Sequence, residues 1–227
     1  MTVDAVVFDW GGTLTPWHTI DFAECWLACG FDRHVADQLR AAEEAVWQRA
    51  RDVQRSGTLA EVFAAVDVEM TRAVLANYFE WWEEHTFTDP DVRPLLAGLR
   101  ERGIKVGVLS NTLWPRVEHD RVFRRDGVYD LIDAAVYTSE IEWTKPHPQA
   151  FRTVLAELAV ADPAAAVFVG DRRWDDIHGA HGAGLRAVLL PHSAIPDHQR
   201  GPVDGEPDAV VSRLADLLPL VDAWRTG

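Results

Sequence analysis

One interruption constrains the fold of this chain more than any other feature. Five short apolar runs recur: V-D-A-V-V-F-D at 3–9, I-K-V-G-V-L-S at 104–110, A-A-V-Y at 134–137, A-V-F-V-G-D at 166–171 and R-A-V-L-L at 186–190. Continuous Val-rich runs of this length suit strands buried on both faces of a parallel sheet. Helical patterns separate the later runs at about 113–126, 147–160 and 174–183, the last closed by the stop signal G-A-H-G-A-G. The alternation breaks once, between the first run and the second, where residues 17–87 read almost wholly as helix. There D-Q-L-R-A-A-E-E-A-V-W-Q-R-A-R is dominated by helix formers, and Leu75, Tyr78, Phe79 and Trp82 fall at i, i+3, i+4 and i+7.

The expected fold is therefore α/β: a Rossmann-like parallel sheet core, residues 1–16 and 88–227, with an inserted all-helical cap domain, residues 17–87. Thr88-Asp89-Pro90 marks the return to the core. A long surface loop is expected from Pro191 to Pro207, and a final amphipathic helix over V-V-S-R-L-A-D-L-L-P-L-V, residues 210–221. With 227 residues and 48% hydrophobic content the chain can bury such a core.

A net charge of -14 speaks against nucleic acid and anionic membranes as partners, and requires a local cation wherever an anionic substrate enters. No basic stretch with an apolar run precedes Val6, and no run approaches the roughly 20 apolar residues of a membrane span. A cytoplasmic monomer or homodimer is expected. Cys25 and Cys29 are the only cysteines; reduced core residues are expected, with metal binding beside His34 as the alternative.

In open parallel sheets ligands bind beyond the carboxyl ends of the strands. In this chain those ends carry Asp9, then Ser110-Asn111, then Gly170-Asp171 followed by Asp175 and Asp176, while Lys145 stands in T-K-P-H-P before a helix. A carboxylate can act as a covalent nucleophile, Ser and Lys can hold an anion's oxygens, and grouped aspartates suit Mg²⁺. Together they form a toolkit for phosphoryl transfer. Singly, each has a plainer reading: Asp9 as a turn cap, Ser110 as an N-cap, Asp175 or Asp176 as a first-turn acid.

Four segments in this order, F-D-W-G-G-T-L at 8–14, L-S-N-T at 109–112, T-K-P-H-P-Q-A-F at 144–151 and V-G-D-R-R-W-D-D-I-H-G-A at 169–180, resemble the motifs of the haloacid dehalogenase-like hydrolase superfamily, in its helical-cap (C1) subfamily. The resemblance implies a Mg²⁺-dependent phosphatase acting on a small phosphorylated metabolite, with Asp9 as nucleophile. It implies that Lys145 and Ser110 bind the phosphate, with Asn111, Gly12 and His18 as further substrate contacts. It implies metal ligation by Asp9, the Gly11 carbonyl, Asp171 and Asp176, with Asp175 the rival of Asp176.

The chain departs from the family pattern at Gly11, where phosphatases usually carry the aspartate that protonates the leaving oxygen. General acid-base catalysis is worth roughly 100- to 10,000-fold. Either another group supplies the proton, with His18 and Asp21 nearest in sequence, or the substrate needs none, or the protein is a catalytically impaired member that binds or regulates. A 2-haloacid dehalogenase expels halide without a proton, but works without metal, and Asp171, Asp175 and Asp176 would then crowd Asp9 uncompensated. D-W-G-G-T also resembles the first motif of phosphonoacetaldehyde hydrolase, which needs a cap lysine; residues 17–87 contain no lysine. Of the tryptophans at 17, 26, 47, 81 and 82, most are expected in the core, with one or two facing Asp9.

Overall fold

The computed structural model describes residues 2–18, 20–191 and 205–226. Strand β1 (Ala5–Phe8) is buried at all four positions, as a central strand of a covered sheet must be. It pairs in parallel with β2 (Lys105–Ser110) and β4 (Ala166–Gly170), placing Val7 between Gly107 and Phe168. β3 (Ala134–Tyr137), β5 (Arg186–Leu189) and a short β6 (Ala209–Val210) complete a parallel sheet of order β3-β2-β1-β4-β5-β6.

The two-residue period of a strand divides the core in two. Val6 and Phe8 of β1, with Val106, Val108, Val167 and Val169, pack toward α5 (Val92–Glu101), α6 (Arg116–Arg125) and α9 (Leu217–Thr226). Ala5 and Val7 face the other way with Leu109 and Phe168, toward α7 (Pro148–Glu157) and α8 (Gly179–Gly182). Gly107 permits the close approach of α7, because a Cβ there would lie 2.8 Å from Leu158 Cδ1.

Between β1 and β2, as expected, the chain is helical: α1 (Phe22–Ala28), α2 (Arg33–Val53), α3 (Leu59–Ala65) and α4 (Arg72–Trp82). Asp21, Asp32, Thr58 and Thr71 cap them, each side chain accepting an amide of the first turn. The two stems of the insertion meet where Asp89 N donates to Leu14 O at 2.9 Å. Its body rests on the loops beyond β2 and β3, through Leu59 N to Leu113 O and Ser56 N to Glu142 O, both at 3.1 Å. It therefore lies over the carboxyl edge of the sheet.

The structure corrects several details. The terminal helix starts at Leu217, not at Val210, because Ala209 and Val210 pair with β5 as an edge strand. Helix α5 precedes β2 within the expected core. The helix expected at 174–183 opens with a π turn, Arg173–His178, before α8. Of the loop expected at 191–207, residues 192–204 lie outside the described residues. Cys25 and Cys29 are free and buried, with Cys29 Sγ donating to Cys25 O at 3.2 Å. His34 is exposed, and neither cysteine joins a metal-ligand cluster among the described residues. Among the described residues, no helix is long and apolar enough to cross a membrane.

Candidate active site

Asp9 follows β1 directly, and its amide donates to Val169 O at 2.9 Å, locking the strand end against β4. The chain then folds back tightly: the amides of Thr13, Leu14 and Thr15 all converge on Trp10 O. Gly12 has φ +88°, the left-handed region that favours glycine, and a Cβ there would stand 2.6 Å from Asp171 Oδ2. The glycine of the opening motif thus lets the turn approach a carboxylate of β4's end.

Lys145 is the hub. Its ammonium donates to Asp9 Oδ1 at 2.6 Å and to Asp176 Oδ1 at 2.7 Å, and it is buried with both partners. Burial alone would lower the ammonium's pKa, but Asp176 and Asp9 more than reverse this and hold it above the ordinary value. Asn111, expected to touch substrate, lines the cavity and also holds Lys145. Its Oδ1 accepts from Lys145 N at 2.9 Å and its Nδ2 donates to Lys145 O at 3.1 Å, so the side chain clamps the lysine's backbone. Ser110, at the end of β2, is buried and lines the same cavity.

The π turn settles which of the two adjacent acids joins Asp9. Asp176 points inward, 0% exposed, with Oδ2 accepting from Arg172 N at 2.9 Å. Asp175 lines the cavity beside Arg172, 3.5 Å from its guanidinium. The extra residue in the helical turn shows the two carboxylates different surroundings, a frequent use of π turns. Asp9, Asp171 and Asp176 bring carboxylate oxygens within 4.8 Å of one another. Both carboxylate oxygens of Asp171 are buried without a hydrogen-bond partner. Burial pushes Asp171 well above the ordinary carboxylate range, with Arg172 opposing and Asp9 and Asp176 adding to the rise. Burial likewise raises Asp176 to about 6 against the pull of Lys145. Three buried carboxylates and the half-buried Asp175 thus face one ammonium and one guanidinium, which leaves an excess of two negative charges when all are ionised. A hard divalent cation fits this set: oxygen donors only, Asp171 oxygens that accept no hydrogen bond, and the matching charge.

The cavity has a volume of about 460 Å³ and runs from Asp9 into the helical insertion. Gly11 and His18 line it; Asp21 does not, being the cap of α1 through Ala23 N. His18 faces His85 across a ring separation of 5.4 Å. A Cβ at Gly11 would meet only Trp17, at 3.9 Å, so backbone and space both tolerate a side chain there. Trp17, Trp47 and Trp82 line the cavity, Trp81 is half-buried and only Trp26 of these five is fully buried, so more of the tryptophans face the cavity than the one or two expected. His119, beneath Trp10 and stacked on Tyr137, is held neutral by burial, which lowers its pKa to about 3.

Two participants escaped the reading of the sequence. Arg172 stands inside the fourth motif, whose pattern assigns it no role. Glu43 did carry a signal: on α2 it falls in the buried stripe Ala36, Leu39, Glu43, Val46 and Ala50, an acid at a helical spacing that otherwise holds apolar residues.

Residues 3–184 match the family described as haloacid dehalogenase-like hydrolase. The chain is 31% identical over 163 residues to a glyceraldehyde 3-phosphate phosphatase of Methanopyrus kandleri, covering 72% of this chain and 69% of that protein. It is 29% identical over 167 residues to the phosphoglycolate phosphatase of Escherichia coli K12, covering 70% of this chain and 61% of that enzyme, less than two thirds of its length. The fold superposes on the crystal structure of a HAD phosphatase from Thermococcus onnurineus with a TM-score of 0.69 and 22% identity, over 96% of this chain and 98% of that one.

Proposed function

We propose that this chain, which belongs to the haloacid dehalogenase-like hydrolase family, is a Mg²⁺-dependent phosphatase that cleaves a small phosphorylated metabolite through an aspartyl phosphate on Asp9. One observation carries the reading: the carboxylates of Asp9, Asp171 and Asp176 gathered at the carboxyl edge of the sheet, with Lys145 bonded to Asp9 and Asp176 and with Asp171's oxygens buried without a hydrogen-bond donor. Names of the relatives support a phosphate ester as substrate.

Asp9, Asp171 and Asp176, with the Gly11 carbonyl, would hold Mg²⁺, which when bound neutralises the acid cluster and the phosphoryl oxygens. The chain's own residues do the rest. Lys145 and Ser110 orient the phosphoryl group, and Lys145 fixes the Asp9 carboxylate through its Oδ1. Asp9 attacks phosphorus, forming the aspartyl phosphate as the ester P–O bond breaks. His18, the candidate donor that lines the cavity, gives its proton to the leaving oxygen. Water then attacks phosphorus, its proton passes to His18, and Asp9 leaves as the carboxylate. Asn111 positions Lys145. The helices of 17–87 serve as a cap that excludes water and selects the leaving group.

The test is hydrolysis of p-nitrophenyl phosphate. Turnover requires Mg²⁺, stops with EDTA, and falls at least about 1,000-fold in Asp9→Asn. An unchanged rate in that variant removes the proposal, and halide release from 2-chloropropionate in EDTA replaces it with dehalogenation.

A further inference from the structure

The far end of the cavity has a chemistry of its own. Beyond the acid cluster the wall becomes aromatic: Trp10 and Trp114 lie 5.4 Å apart by ring centroids, Trp114 and Trp82 5.6 Å, and Trp114 and Tyr78 6.1 Å. This wall leads from Asp9 to Glu43 on α2, which lines the same cavity although it is 8% exposed. The indoles of Trp47 and Trp26 act on its carboxyl, the titratable Cys25 and Tyr78 lie within electrostatic reach of it, and among the described residues no basic side chain forms an ion pair with it. Burial pushes this carboxyl up to about 7. An acid kept at a buried helical position without a cation is costly, and its access to the cavity gives it a use.

Two of the basic side chains that face the cavity lie at its Asp9 end, and the third, Arg51, stands on α2 with Glu43 but forms no ion pair with it among the described residues. Lys145 and Arg172 belong to the acid cluster at the Asp9 end, and Arg51 donates to Gln48 Oε1 at 2.8 Å beside Asp52. The cavity is therefore polarised. Its Asp9 end offers cations to a phosphate, and its other end offers a carboxyl and aromatic faces, the combination that recognises organic ammonium groups.

We propose that this end of the cavity, built from Glu43, Trp47, Tyr78 and Trp82, binds an ammonium group carried by the leaving group, so that the substrate is a zwitterionic phosphate ester of an amino or quaternary-ammonium alcohol. The proposal rests on the phosphatase reading for the ester but not for the ammonium site. A zwitterion also suits a chain whose net charge of -14 repels simple anions.

Two measurements test it. With Mg²⁺ present, kcat/KM is compared for phosphocholine and 3,3-dimethylbutyl phosphate, the isostere with carbon in place of the charged nitrogen. The wild type prefers phosphocholine by at least about tenfold, and Glu43→Gln brings the pair to within about threefold. Separately, choline chloride titrated against tryptophan fluorescence binds wild type and Asp9→Asn but not Glu43→Gln, with circular dichroism verifying the variants' folds. This second readout needs no turnover, so a failure of the phosphatase reading leaves it standing. Equal kcat/KM for the two isosteres in the wild type overturns the proposal even if Glu43→Gln does not fold, as does the absence of any saturable choline response in wild type and Asp9→Asn.

Discussion

Replacing Glu43 by glutamine should make the protein more stable, by an amount that grows with pH. In the native state burial raises the Glu43 carboxyl from the ordinary 4.5 to about 7. Between those values the folded protein holds a proton that the unfolded chain has released, so stability falls as pH rises through this window and the full penalty is present above pH 7. At about 1.4 kcal/mol per unit, the shift amounts to about 3 kcal/mol. Glutamine matches the protonated acid in size and never ionises. The variant's advantage should therefore be about 1.5 kcal/mol at pH 5.5 and about 3 kcal/mol at pH 8. For a chain of this size the latter corresponds to roughly 6 to 12 °C in Tm. Urea unfolding of both proteins at several pH values, followed by circular dichroism, reads the difference directly. At pH 8, choline should raise the Tm of the wild type and leave that of the variant unchanged. A variant less stable than wild type at pH 8, or a difference that does not vary with pH, refutes the reasoning, because Glu43 would then be held by partners that compensate its charge.

Other substitutions report on the acid cluster. Gly11→Asp places its Cβ in ordinary contact with Trp17 at 3.9 Å, so it should fold, change the wild type's turnover of alkyl phosphates by less than about threefold because His18 already supplies the proton, and speed alkyl phosphates by about 100-fold or more in His18→Ala. Steady-state kinetics on ester pairs of differing leaving-group pKa check this. Gly12→Ala meets both a φ of +88° and Asp171 Oδ2 at 2.6 Å; it should cost about 1–2 kcal/mol from the backbone alone and lower kcat more than KM is raised, measured by urea unfolding and Mg²⁺-dependent rates. Lys145→Met leaves Asp9 and Asp176 buried without their cation and should destabilise the fold by about 3–5 kcal/mol at pH 7, read by urea unfolding without Mg²⁺.

Much of this architecture could be read from the chain because its signals are local. Continuous valine runs become strands buried on both faces, and the helical break between the first two places the insertion where the motifs require it. The order Asp9, Ser110, Lys145, Asp171 lies at strand ends and loop positions that parallel topology must bring to one edge. What escaped depends on tertiary geometry. Ala209-Val210 is too short to announce itself as a strand, and pairs only because β5 presents an open edge. Asn111 lines the cavity as a substrate contact would, but that it also clamps Lys145 depends on a loop 34 residues away. Asp175 and Asp176 are neighbours in sequence, and the π turn separates their roles. Glu43 was legible as an acid in an apolar stripe, but its access to the cavity required the insertion's placement over Asp9.

Trapping the covalent intermediate identifies the nucleophile. An activated aryl ester needs no proton to leave, so in His18→Ala, where no group takes the proton from water, the aspartyl phosphate should accumulate during turnover of p-nitrophenyl phosphate with Mg²⁺. Rapid acid quench followed by borohydride reduction converts an aspartyl phosphate to homoserine, which peptide mass spectrometry locates. The account predicts homoserine at position 9 in the peptide that carries V-V-F-D-W-G-G, dependent on substrate and Mg²⁺ and absent in Asp9→Asn. Sustained turnover with Asp9 unmodified, or with reduction at any other acid, contradicts it.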